Sequence, residues 1–480
     1  MRRRLVLLLG VLFAISGFSA LVYQVSWQRI LVLHTGVGIY SVAMIVSGFL
    51  AGLGLGSYLG GALSARVGPR TALRSFAVLE LAVGCFAAAS CWLYYDLLYL
   101  ADPSLYASGW GAILGHFLAL VVPTTLMGMT LPFLVRASVR DVESASGTIG
   151  YLYAINVVGA AAGALLTPWL LMRLFGVRGA VLAGVCGNIL VGLAALRLMR
   201  VSSLENADVR AGPATSLPFD RQSFRGWLGL YALGGFCALS LQVVWFRIVD
   251  VAVKSTAFTF GSVLAIYLIG LAAGSFLGAP LARRSRAPLK TYLGWQCAIL
   301  IYSGLGALTI AALPQDFPLY DWYREYWASF HAFRLGTSWN VDTILRLYLL
   351  FPVMLYTVPT VLMGAAFPVL QRAVQDDPAT SGLKVGRLQA ANVAGNVAGS
   401  ALAGVVLLES VGTTGVLRLL LVLGLAFAGL GIRRYGLRGR FGAAALVLIA
   451  LAAILPGGMA SGSLFTAAGR ARSSKRTPRA

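Results

Sequence analysis

Apolar residues recur along this chain in unbroken runs of about 20, each closed by a short polar or arginine-bearing connection. A run of that length crosses a hydrocarbon core of roughly 30 Å as one helix. Inside lipid a helix satisfies its own backbone hydrogen bonds, whereas a closed barrel needs alternating strands that this pattern lacks. The runs predict six crossings near residues 5–33, 38–63, 73–95, 111–135, 148–172 and 177–197. Six more are expected near 226–249, 257–281, 291–313, 345–370, 385–409 and 412–432. The chain then divides into a first membrane half at 1–197, a polar interhalf loop at 198–224 containing Pro213 and Pro218, and a second half at 225–434. A further apolar segment at 441–459 and a basic tail at 460–480 follow.

The two halves resemble each other. The stretch GFSALVYQVSWQRI at 17–30 returns as GFCALSLQVVWFRI at 235–248, an offset of about 218 residues that also carries Gly52, Gly56, Ser57 and Gly60 onto Gly270, Gly274, Ser275 and Gly278. Later, MGMTLPFL at 127–134 pairs with MGAAFPVL at 363–370, and GYLYAINVVGAAAG at 150–163 with GRLQAANVAGNVAG at 386–399. The offset has grown there to about 236, which places a longer connection at 314–343. An even number of helices per half makes the repeats parallel, related by an axis along the membrane normal. The expected fold is an all-α polytopic membrane protein of two pseudo-symmetric six-helix halves with an extra C-terminal helix.

Composition agrees: 59% of the residues are hydrophobic and 11% charged, far from a soluble domain. The formal charge of +22 would point to nucleic acid in a soluble protein, but here the arginines sit in connections and report orientation instead. Arg2 to Arg4, Arg66, Arg70, Arg74, Arg136 and Arg140 fall on one side, as do Arg283, Arg284, Arg286 and Lys290. That side is expected to be cytoplasmic, with the N-terminus, in a bacterial inner membrane. The signal-like start MRRRLVLLLGVLFAISGFSA is expected to stay as a helix, because its copy lies in mid-chain. If the segment after 441 crosses, the basic tail lies on the far side against the charge rule; if it lies in the interface, it does not. The five cysteines, at 85, 91, 186, 237 and 297, form no CxxC pair and read as buried apolar residues, so neither metal nor cofactor is expected.

Few side chains carry candidate chemistry. Gly52, Gly56 and Gly60 share one helix face and predict a close helix contact. Asn156 projects along the stripe of Gly159 and Gly163, and Asn392 along Gly395 and Gly399; each amide either bonds a neighbouring helix or contacts a substrate near the axis. Pro123, Pro132, Pro359 and Pro368 bend their helices. Glu80 lies well inside the third crossing and is the leading candidate to bind a cation or a proton, with Glu409 nearer a helix end. His34 and His116 read as interface or packing residues. Gln24, Trp27 and Arg29, repeated as Gln242, Trp245 and Arg247, form either an interfacial anchor or an interior corner that pairs with an acid or gates a vestibule.

Residues SGFSALVYQVSWQRILVLHTG and GFLAGLGLGSYLGGALSARVG, with MGMTLPFL and GYLYAINVVGAAAGALL, resemble the membrane domain of bacterial proteins that fuse a major-facilitator-like module to a spermidine synthase domain. The resemblance covers about residues 1–460. GGALSARVGPR is similar to the loop after the second helix of major facilitator transporters, but Ser64 and Ala65 stand where an acidic residue is usual. LPGGMASGSLFTAAG looks like the junction to the synthase domain, and the residues after it hold no glycine-rich phosphate loop or acidic pair for an amine. No catalytic residue is therefore expected, and polyamine chemistry, if implied, belongs to a separate chain or is absent. Two functions follow as expectations: a transporter-like module for a small organic cation such as a polyamine, with Glu80, Asn156, Asn392, Gln24, Gln242, Arg29 and Arg247 as its site, or a noncatalytic scaffold for a separate synthase-like protein. In both, the lipid bilayer is the constant partner and nucleic acid is none.

Overall fold

The computed structural model describes residues 2–35, 39–101, 109–201, 221–253, 258–312, 345–437 and 439–456. The expected interhalf loop and the connection at 314–343 lie mostly or wholly outside the described residues; so do the tail and the side chains of His34 and His116. Among the described residues the regular structure is helical throughout. The first half comprises α1 (Arg2–Thr35), α2 (Ile39–Ser64), α3 (Pro69–Cys91), α4 (Gly109–Ser138), α5 (Val142–Leu166) and α6 (Met172–Val201). The second comprises α7 (Arg221–Ala252), α8 (Thr259–Arg284), α9 (Pro288–Ala312), α10 (Phe351–Val374), α11 (Ser381–Ala401) and α12 (Gly412–Tyr435). A shorter α13 (Arg440–Ile454) follows.

The two halves pack by the same scheme. In the first, α1 lies on α5, α2 on α4 and α3 on α6; in the second, α7 lies on α11, α8 on α10 and α9 on α12. Glycines permit these approaches, since a Cβ on Gly56 would strike the Thr125 carbonyl and one on Gly274 the Val361 carbonyl. The same holds for Gly159 against the Ala14 backbone and Gly395 against Ala232. With hydrocarbon outside, such close backbone contact replaces the hydrophobic effect as the force between helices. Asp141 caps α5 by accepting from the Ser144 amide at 2.7 Å, and Asp377 accepts from the Ala379 amide at 2.8 Å just before α11. Gly176 in α6 and Gly412 at the start of α12 both sit at φ 68°, the left-handed region in which a side chain is strained.

Between halves, α2 packs against α11 and α5 against α8. Arg136, at the end of α4, donates from Nε to the Val67 carbonyl at 3.0 Å, which ties the α2–α3 connection to α4 on one face of the molecule. Gly61 meets Gly386 and Gly150 meets Pro368 near this basic face, and toward the other end Gly261 meets Pro168 and Trp169 Nε1 donates to Ser262 Oγ at 3.0 Å, so the halves touch near both ends. Large apolar side chains such as Leu8, Leu55, Leu190 and Leu277 point outward, as a lipid-facing belt requires. The helix α13 packs on α9 and α12. It is pinned near both ends, by Arg440 Nη2 to the Lys290 carbonyl at 2.9 Å and by Arg418 to the Leu455 carbonyl. Its 15 residues measure about 22 Å, short of a full hydrocarbon core.

Candidate functional site

A cavity of about 330 Å³ lies between the halves, at the low end of the range for small-molecule sites. Four of its polar lining residues come in corresponding pairs, Gln24 of α1 with Gln242 of α7, and Asn156 of α5 with Asn392 of α11. The asparagines do two things at once. Asn156 Nδ2 donates to the Phe13 carbonyl at 2.8 Å and Asn392 Nδ2 to the Tyr231 carbonyl at 3.1 Å, so each stitches its helix to α1 or α7 while bordering the cavity. Gln24 is buried and Gln242 half-buried, and among the described residues neither has a protein hydrogen-bond partner, which leaves both amides to the cavity.

Arg29 and Arg247 do not join them. Five residues separate Gln24 from Arg29, which carries the arginine about 140° around the helix and about 7.5 Å along it. Arg29 is exposed and Arg247 half-buried, and both lie outside the cavity lining. Trp27, which depth alone would make an interfacial anchor, is fully buried: its ring stacks on Tyr23 with centroids 5.3 Å apart, and Nε1 donates to Ser90 Oγ at 2.9 Å. Trp245 is buried likewise, stacked on Tyr356 at 5.3 Å. Glu409 is exposed on the turn Leu408–Ser410, away from the cavity.

Among the described residues Glu80 is the one carboxyl in the cavity lining, which holds no lysine or arginine, and it is 1% exposed. Ser16 of α1 donates to Oε1 and Asn188 of α6 to Oε2, both at 2.6 Å. Tyr23 in turn donates to Asn188 Oδ1 at 2.7 Å, so the Asn188 amide is used at both ends in a single orientation. Among the described residues no cation pairs with the carboxyl. An acid held by neutral donors, in a wall without a countercharge, is suited to receive a cation from the cavity. The second half has no counterpart: at the offsets of the repeat, Ser16, Tyr23 and Asn188 correspond to Gly234, Leu241 and Gly424, and Glu80 to the apolar Ala298. Sequence reasoning missed Ser16, Tyr23 and Asn188, although positions where a repeat matches a polar residue with an apolar one would have marked them. It also missed the tyrosines of the lining, Tyr153, Tyr231, Tyr267 and Tyr292.

No family model matches the chain. The chain is 29% identical over 208 residues to the polyamine aminopropyltransferase of Mycobacterium tuberculosis, across 42% of this chain and 37% of that protein. It is 27% identical over 189 residues to the polyamine aminopropyltransferase of Corynebacterium efficiens, across 39% of this chain and 34% of that one. The chain thus aligns with little more than a third of the length of these relatives. Among solved structures, the human organic anion transporter MFSD10 superposes with a TM-score of 0.58 at 14% identity, covering 89% of this chain and 98% of that one. A bacterial homologue of the iron transporter ferroportin, in its outward-facing state, gives 0.53 at 15% identity, over 94% and 99%. At these identities the likeness is one of fold: the chain has the two-half architecture of major facilitator transporters.

Proposed function

We propose that this protein is a membrane transporter whose central cavity takes a small organic cation, with Glu80 supplying the countercharge. The observation that carries the reading is that, among the described residues, Glu80 is the single carboxyl in a lining that holds no lysine or arginine, between the halves of a transporter fold. The amides of Gln24 and Gln242 face the same space and act as orienting dipoles, while Asn156 and Asn392 set its walls. Arg29 and Arg247, the other two candidates, act outside the cavity in this reading, at the vestibule. The names of the sequence relatives bring polyamines in as one candidate class. The basic face is the cytoplasmic one and the membrane a bacterial inner membrane, by the charge rule alone. The domain limits proposed from sequence, 1–197 and 225–434, serve as the two moving bodies.

Purified protein reconstituted into liposomes tests this directly. Amine flux above that of empty liposomes, lost in Glu80→Gln, supports the reading; equal flux in both preparations for every amine tried ends it.

A second reading is favoured by the partial match to polyamine aminopropyltransferases: the chain as a noncatalytic scaffold that recruits a separate synthase-like protein through its basic face. It predicts that such an enzyme copurifies with the membrane protein. A clean preparation after crosslinking, with no soluble partner recovered, removes it.

A further inference from the structure

We infer that the cavity is built for a cation carrying one positive charge on an apolar body of aromatic size, rather than for a polyamine; this rests on the cation reading above and narrows it. Two features of the lining point there. The first is the charge count: Glu80 offers one negative charge, and the remaining polar groups of the described lining are neutral amides and hydroxyls. A second ammonium against this lining would have only dipoles for company, and a charge that gives up part of its water without gaining a countercharge is costly.

The second feature is a group of four tyrosines in the lining, most of them from the second half. Tyr231 of α7 lines the same space as Tyr153 of α5, Tyr267 of α8 and Tyr292 of α9. Tyr292 donates its hydroxyl to the Leu230 carbonyl at 3.0 Å, and Tyr267 directs its own to the sulfur of Met363 at 3.6 Å. These bonds fix the rings against the second half. The Tyr153 and Tyr231 hydroxyls have no protein partner among the described residues and border the cavity. Aromatic faces fixed in this way attract a cation through the ring quadrupole and pack the apolar part of a ligand.

The asymmetry between the halves supports the division of labour. The acid and its three supporting groups occur in the first half alone, at positions filled by glycine or apolar residues in the second. Three of the four tyrosines come from the second half. A ligand bridging the two groups therefore presents its charge to one half and its apolar body to the other, and engages both.

The test is calorimetric titration of the full chain in detergent with 2-phenylethylamine, spermidine and the neutral 2-phenylethanol. Phenylethylamine is expected to bind about tenfold or more tighter than spermidine. Its binding is lost in Glu80→Gln, weakened several-fold in Tyr231→Leu and kept in Tyr231→Phe, which retains the ring and its packing. If spermidine binds as tightly as phenylethylamine or more so, the single-charge inference is overturned while the cation reading stands. If the alcohol binds as well as the amine and Glu80→Gln changes nothing, or if no amine binds at all, the cation reading itself falls and takes this inference with it.

Discussion

Replacing Glu80 by leucine and by glutamine separates the carboxyl's charge from its hydrogen bonds. Both substitutions remove the buried carboxyl, so whatever its burial costs cancels when the two variants are compared. Glutamine keeps an oxygen for Asn188 Nδ2 and can donate its amide to Ser16 Oγ, so it fits the site that Ser16 and Asn188 define at 2.6 Å. Leucine offers no acceptor. Ser16 can turn back to a carbonyl of its own helix, but Asn188 cannot turn, because Tyr23 holds its Oδ1 at 2.7 Å. At 3% exposure its Nδ2 is left without a partner, a cost of about 1–3 kcal/mol. For a chain of 480 residues, an unfolding entropy of about 2.1 cal/mol/K per residue makes this a fall of about 1–3 °C in the thermal midpoint, and about twice that if one half unfolds alone. Midpoints are read in one detergent by loss of the monodisperse peak after heating. Glu80→Gln should unfold at or above the wild-type temperature and Glu80→Leu clearly below Glu80→Gln. A leucine variant as stable as the glutamine variant would refute the claim that this network needs an acceptor at position 80.

Other substitutions probe the frame and the cavity. Gly395→Leu drives a side chain into the Ala232 backbone, which cannot yield, and should cost about 1–3 kcal/mol or more, seen as loss of folded yield. Gly429→Ala enters open space and should leave that yield unchanged. Gln24→Ala should weaken amine affinity in titration while the protein still folds and purifies, because its amide serves the cavity and no protein group among the described residues. Arg29→Ala, at an exposed position outside the lining, should change neither. Trp27→Phe should lower the thermal midpoint through a loss of about 2 kcal/mol, since it empties part of a fully buried ring site and breaks the bond to Ser90.

The helices were legible in the sequence because lipid enforces them: a run too short or too polar could not cross, so the apolar periods locate α1 to α12 within a few residues. Some ends run further, as α4 to Ser138 and α6 to Val201, because a helix can continue past the hydrocarbon, while α5 stops at Leu166 and α11 at Ala401, short of the expected ends, where π-helical turns take over. The glycine stripes were legible for a similar reason, since small residues at fixed spacing have one common use in a membrane. Facing was harder. Depth along α1 placed Trp27 near a boundary but said nothing of which side it turned to, and it turned inward onto Tyr23. The partners of Glu80 were out of reach because they converge from α1 and α6, helices more than 100 residues apart at Asn188, and no local pattern encodes that meeting. The tyrosine wall was hidden likewise, being gathered from α5, α7, α8 and α9.

The most direct test of the central claim is a flux measurement with a matched pair of solutes, one amine and its neutral alcohol, in liposomes bearing either the wild-type protein or Glu80→Gln. With Glu80 as the countercharge, protein-dependent movement is expected of the amine alone and is abolished by the substitution. Movement of both solutes alike, or of the amine equally well through Glu80→Gln, would contradict it.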